Sequence, residues 1–230
     1  TIGGTSAGGI QVSTNSGRGG EFAGIKLITG TTDNDFTVLT PRDGTIEMPG
    51  GQDSSAWSAV GFGTENKTEF SCAISTNVTI ANTSIYAGLK LTEVGLYTTD
   101  ANQAYFLYAA DDDQGTLTTN GNLHFVYSVG GTDYVTDLGI VVAVNTVYRL
   151  RISIDATRRV SVFVNNRQYG LTSTTTGTTA GGVTETDSTK KSLIMTDDID
   201  FLSFIGVQTH TTASKGIQVG YVKMSRDLYE

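Results

Sequence analysis

The chain carries one cysteine, Cys72, so no disulfide can close within it. That excludes the small stapled scaffolds and points to folding in a reducing compartment, or in a particle assembled there. Cys72 alternates with Phe70 and Ile74 along Phe70-Ser71-Cys72-Ala73-Ile74, which reads as a buried strand position and not as a reactive thiol. Only two prolines occur in 230 residues, leaving long stretches free to pair as strands. Charge is scarce as well: 17% of residues are charged and the net charge is -8, so the basic stripe a nucleic-acid partner requires is not expected. No apolar run approaches the roughly 18 residues of a membrane-crossing helix, and no membrane partner is expected. Thr1-Ile2-Gly3-Gly4-Thr5 has neither a basic nor an apolar region, so no signal peptide is expected.

What the sequence has instead is Thr, Ser, Asn and Gly, short polar side chains that suit strands and tight turns and lose little rotamer entropy in a contact. The first 20 residues offer almost nothing to bury and read as an extended arm, followed by a single β-sandwich domain over 21–230. Short strands are expected at Phe22–Leu27 and Phe36–Leu39, with a turn at Pro41-Arg42-Asp43-Gly44. Further strands are expected at Glu69–Ser75, Ser84–Leu91, Ala104–Ala109, Leu123–Val129 and Tyr134–Leu138, the last two joined by Gly130-Gly131-Thr132-Asp133. Tyr148–Asp155 alternates strictly and returns through Ala156-Thr157-Arg158-Arg159 into Val160–Asn165. That two-residue period marks adjacent antiparallel strands with one wet face. Gln168–Leu171, Phe201–Gln208 and Ile217–Met224 complete the set. Thr172–Thr189 is a Thr/Gly-rich loop, longer than a plain connection. About a dozen strands without a helical period imply an all-β, antiparallel two-sheet jelly-roll sandwich.

The Tyr-x-Leu-x-Ile-x-Ile-Asp strand at Tyr148, its basic turn and Val160-Ser161-Val162-Phe163-Val164-Asn165 resemble the concanavalin A-like lectin/glucanase (laminin-G-like) fold. The ending Phe204-Ile205-Gly206-Val207-Gln208-Thr209 and Ile217-Gln218-Val219-Gly220-Tyr221-Val222-Lys223-Met224-Ser225-Arg226 is similar to the close of tailed-phage virion proteins with that fold. There the last strand often carries Asp where Gly220 stands here. The resemblance covers about residues 57–226. It implies a non-enzymatic virion structural protein, assembled in the host cytoplasm. The leading expectation is a capsid decoration (cement) protein that contacts the major capsid protein or other virion proteins, as a homo-oligomer and most simply a trimer. Its arm would reach a neighbour by strand addition, anchored by Ile2, Ile10 and Val12. The alternative is a lectin-like, carbohydrate-binding module of a tail or head fibre acting in host attachment.

Candidate chemistry is thin. Glu185-Thr186-Asp187 lacks the third carboxylate of the glucanase strand motif and sits in the Thr/Gly loop, and glycosidase carboxyls need rigid spacing. Asp111, Asp112 and Asp113 are weak Ca²⁺ candidates, because Ca²⁺ takes six to eight oxygens and adjacent side chains diverge. No other cofactor is expected. Asp197-Asp198-Ile199-Asp200 reads as a capped turn. His124 and His210 lack a nucleophile in recognisable sequence context, so no hydrolase triad is expected. Asn66, Asn77 and Asn82 head sequons that arise by chance in so Thr-rich a chain. Tyr105 and Tyr108 are the candidate glycan contacts, since aromatic rings stack on sugars.

Overall fold

The computed structural model describes residues 2–4, 9–12, 24–40, 63–91, 100–110, 117, 120–171, 179–180 and 194–227. Strands are numbered in chain order. One sheet has eight strands, in the order β1 (Ile2–Gly4), β4 (Phe36–Leu39), β14 (Leu202–Thr209), β6 (Thr83–Lys90), β7 (Gln103–Ala109), β8 (Asn122–Val129), β9 (Thr132–Val141) and β13 (Thr179–Ala180). The other has seven: β12 (Arg167–Tyr169), β11 (Val160–Val164), β10 (Val147–Ile154), β5 (Glu69–Thr76), β15 (Gly216–Ser225), β3 (Ile25–Ile28) and β2 (Gly9–Val12). Pairing is antiparallel except between β9 and β13. The one helical turn among the described residues is Thr64–Asn66. The protein is an all-β, two-sheet jelly-roll sandwich.

The core lies between the sheets. Phe70, Cys72, Leu150, Ile152 and Val162 from one sheet meet Leu89, Phe106, Phe125 and Tyr127 from the other. Fully burying such a side chain contributes about 1.5–3 kcal/mol. Phe106 and Phe125 meet edge to face at 5.2 Å, and Tyr127 stacks on Tyr134 at 4.9 Å. The β10–β11 hairpin forms as its alternation dictates, with Leu150 opposite Val164 and Ile152 opposite Val162. Its turn is held by Asp155, whose Oδ1 accepts from the Thr157 amide at 2.8 Å and the Arg159 amide at 3.0 Å. Asn165 and Asn166, both at positive φ, turn β11 into β12. Gly130 and Gly131, at φ 56 and 84, do the same between β8 and β9.

Over β14, β6, β7 and β8 the eight-stranded sheet is buried on both faces. Every residue of β6 and of β7 is buried. Away from the core, Tyr86, Tyr105, Leu107, Val126 and Phe204 form a second apolar cluster. Strands buried on both faces read as continuous apolar runs, which is why Tyr105-Phe106-Leu107-Tyr108 shows no alternation. The seven-stranded sheet keeps one wet face, and β10 alternates buried and open along its length.

The Gly-rich arm is not a free extension over its described residues. Ile2–Gly4 pairs with β4 and Gly9–Val12 pairs with β3, so the arm contributes an edge strand to each sheet of its own chain. Pro41–Gly44, Trp57 and most of the Thr172–Thr189 loop lie outside the described residues.

Candidate functional site

The open face of the seven-stranded sheet is built around β5. Phe70, Cys72 and Ile74 point into the core, so Ser71, Ala73 and Ser75 point out. All three are small. On one side Arg151 pairs with Ser71 and Arg149 with Ala73. On the other side Lys223 pairs with Ser71 and Tyr221 with Ala73. Directly paired residues share a face. Long side chains on both flanking strands thus wall a trough floored by β5, with its walls two strand spacings apart, about 10 Å.

A β-bulge makes one of those walls. The register of β15 shifts between Val219 and Tyr221, leaving Gly220 as the extra residue. Ile217 and Val219 face the core. Without the bulge, Tyr221 and Lys223 would follow them inward; with it, they turn out, and Tyr221 is 45% exposed. Gly24, just before β3, makes room, since a Cβ there would stand 2.1 Å from the Val219 carbonyl oxygen.

Charge on this face runs against the net charge of the chain. Arg149, Arg151, Lys223 and Lys26 point outward, and Glu69 is the acidic residue among them. The Arg151 guanidinium lies 3.6 Å from the centre of the Phe163 ring, and its Nη1 donates to Glu69 Oε2 at 3.2 Å. At the Glu69 end the trough opens into a polar cleft of about 520 Å³ lined by Lys67, Glu69, Ser153, Asp155, Ser225 and Asp227 among others. Lys67 and Asp227 close an ion pair of 3.0 Å at its rim.

The residues singled out from sequence fall elsewhere. Tyr105 is 0% and Tyr108 4% exposed, so neither ring presents a face to solvent. Tyr108 faces the core and donates from its hydroxyl to the Ile80 carbonyl at 3.2 Å, while Tyr105 belongs to the second apolar cluster. Among the described residues the exposed aromatic of the open face is Tyr221, which sequence alternation alone would have put inside. Ile2, Ile10 and Val12 lie on the edge strands β1 and β2. Asp111, Asp112 and Asp113 lie outside the described residues, as does Glu185. Among the described residues no group of three or more His, Cys, Asp or Glu side chains could hold a metal ion. Asp197 pairs with Arg158 at 2.8 Å and accepts from the Asp198 amide, the capped turn its sequence implies.

A buried polar set crosses the outer side of the eight-stranded sheet. Lys90, itself 0% exposed, lies 5.2 Å from the Tyr105 ring centre and 5.4 Å from that of Phe204. Burial pushes its pKa down to about 8, against the pull of Asp100 and Asp133. Gln103 donates to Ser128 at 2.8 Å, and Ser128 donates to Asp133. His124 Nδ1 bonds the Asn122 carbonyl at 3.1 Å. His210 has a different setting. Its Nε2 is 2.7 Å from Ser84 Oγ and its Nδ1 is 3.1 Å from Asn34 Oδ1.

No protein-family model matches the chain, and no curated protein matches it in sequence. Solved structures match in fold. A protein of unknown function from Shewanella oneidensis MR-1 superposes with a TM-score of 0.51 at 14% identity, covering 97% of this chain and 77% of that one. The family 7 alginate lyase A1-II', solved in complex with product, gives 0.51 at 10% identity over 89% of this chain and 80% of the lyase. The carbohydrate recognition domain of Emp46p, in its potassium-bound form, gives 0.49 at 9% identity over 97% and 89%. At these identities the first two likenesses show the fold alone, a two-sheet jelly-roll sandwich.

That comparison corrects the expectation of a protein that does not catalyse. The expectation drew on the resemblance and on histidines without a nucleophile in sequence. An alginate lyase has this fold, so the fold houses catalysis. In space, though not in sequence, Ser84 Oγ lies 2.7 Å from His210 Nε2.

Proposed function

We propose that the chain is a carbohydrate-binding module whose ligand lies along the β5 trough, and that it serves host attachment on a phage fibre. The observation that carries this reading is the bulge at Gly220, which turns Tyr221 and Lys223 out opposite Arg149 and Arg151 across a floor of small residues. Bulges re-aim side chains where function needs them. Tyr221 offers a ring for a sugar face, with a hydroxyl to bond its edge. The arginines and Lys223 favour a glycan bearing carboxylates, and Arg presents the planar fork that matches them. The polar cleft beyond Glu69 supplies hydroxyl partners where the trough ends. The fold is one in which an alginate lyase holds its product.

A fibre module is preferred to a shell cement because the arm's described strands pair with the chain's own sheets. One side of each strand is taken up in that pairing, so these residues lie along the chain's own sheets and do not extend as a free arm. The reading is tested by screening the full chain against a glycan array that contains neutral and uronate-bearing oligosaccharides. Binding that falls about tenfold or more in Tyr221→Ala with the fold intact is the expected result. Binding to no glycan, or binding indifferent to Tyr221, would sink it.

A further inference from the structure

Ser84, His210 and Asn34 come from three separate segments, and the contacts between them follow one direction. Tyr86 donates from its hydroxyl to Gln208 Oε1 at 2.9 Å, which fixes the Gln208 amide and leaves its Nε2 as the donor. That nitrogen approaches Asn34 Oδ1 at 3.5 Å, so Asn34 presents its oxygen on this side. Asn34 Oδ1 therefore accepts from His210 Nδ1–H, at 3.1 Å. With the proton on Nδ1, His210 Nε2 is the acceptor, and Ser84 donates its hydroxyl to it at 2.7 Å. The protonation pattern is that of a base poised to take the hydroxyl proton, with an amide oxygen orienting the ring.

Main-chain bonds hold each member in place. The Asn34 amide donates to the Thr209 carbonyl and the Thr209 amide to the Asp35 carbonyl, both at 2.9 Å. The His210 amide donates to the Asn82 carbonyl at 2.9 Å, beside the start of β6. Asn34 sits at φ 65, the left-handed turn conformation that asparagine adopts more readily than other non-glycine residues. Ser84 pairs directly with Gln208 across β6 and β14, so the Gln208 amide shares its face.

From this geometry we infer that Ser84, His210 and Asn34 form an acyl-transfer site that hydrolyses carboxylic esters with a short acyl group, a role apart from the glycan trough. Ser84 is 3% exposed, so the group that reaches Oγ is small. Ser84 Oγ attacks the ester carbonyl carbon while its proton passes to His210 Nε2. The tetrahedral centre collapses, the C–O bond to the alcohol breaks, and the alcohol leaves with the proton from Nε2. Water then attacks the acyl-serine, giving its proton to His210, which returns it to Ser84 as the acid departs. The sum is ester plus water to acid plus alcohol. Gln208, paired directly with Ser84 and on the same face, carries the amide that could donate to the carbonyl oxygen as its charge develops. Asn34 is the positioning residue.

The test uses the full chain, an alkyl fluorophosphonate and p-nitrophenyl acetate. The expected result is one phosphonyl adduct, mapped by peptide mass spectrometry to Ser84, formed by the folded protein and not after heat unfolding. Ester hydrolysis should fall at least about a hundredfold in Ser84→Ala and in His210→Ala. Asn34→Ala should lose activity and Asn34→Asp, which keeps the acceptor, should restore it. Circular dichroism melts confirm that each variant is folded. Absence of an adduct at Ser84 in the folded chain, or hydrolysis unchanged in folded Ser84→Ala, would overturn the inference.

Discussion

The Arg151 guanidinium stacks on the Phe163 ring at 3.6 Å while its Nη1 holds Glu69 at 3.2 Å. Three strands, β11, β10 and β5, thereby fix one cation on the open face. The ion pair is partly open, with side chains 40% and 30% exposed, so it adds little to stability. Arg151→Ala is expected to cost about 1 kcal/mol or less in urea unfolding. Glycan binding should fall severalfold, and Arg151→Lys should not restore it, because the planar stack and the two-pronged donor are lost. Calorimetric titration of both variants checks this.

Gly24 guards the bulge. A Cβ at that position would stand 2.1 Å from the Val219 oxygen and 2.8 Å from its carbonyl carbon, both backbone atoms that cannot rotate away. Gly24→Ala must push β3 from β15. The expected loss is about 2–3 kcal/mol, or roughly 5 °C in Tm. Glycan affinity should drop with it, since the same strand aims Tyr221 and Lys223. A thermal melt of Gly24→Ala beside wild type measures the first effect and a binding isotherm the second.

Cys72 is 0% exposed, and burial pushes its thiol well above the ordinary cysteine range. Neither access nor thiolate is available in the folded chain. A thiol reagent at neutral pH should leave native Cys72 unmodified and react fully once denaturant unfolds the protein. Rapid modification under native conditions would mean that the sheets separate there.

Lys90 gives stability a pH dependence of known sign. Its folded pKa is lowered from 10.5 to about 8 by burial. Between those values the unfolded chain holds a proton that the folded chain has released, so stability rises with pH through this window. Below about pH 8 both states are protonated and the cost of the buried charge is fully present. Cys72 and Tyr108, whose pKa values burial raises, act in the opposite sense at high pH. The comparison is therefore wild type against Lys90→Met. From about pH 7.5 to 9.5 wild type should gain about 2 kcal/mol relative to the variant in urea unfolding.

The sandwich was legible in the sequence where one face of a sheet is wet. The alternation of Tyr148–Asp155 and Val160–Asn165 gave both the hairpin and its inward set, and the Asn and Gly turns confirmed the connections. It was not legible where both faces are buried. In β6 and β7 every position is apolar or enclosed, so the face of Tyr105 could not be told from that of Tyr108. The trough was hidden by one residue. Alternation carried forward from Ile217 and Val219 puts Tyr221 in the core, and the shift at Gly220 reverses it. Gly220, an isolated glycine inside the strand pattern, was the available signal. The Ser84, His210 and Asn34 cluster had no local signature at all. Its members are 126 and 176 positions apart, and only the pairing of β4, β14 and β6 brings them together.

The most direct test of the glycan trough is a calorimetric titration of wild type, Tyr221→Ala and Arg149→Ala with a uronate-bearing oligosaccharide, at low and at physiological salt. The account predicts binding by wild type that weakens as salt rises, a loss of about tenfold or more in Tyr221→Ala, and a flatter salt dependence in Arg149→Ala. Equal affinity in all three proteins, or wild-type binding that salt does not touch, would contradict it.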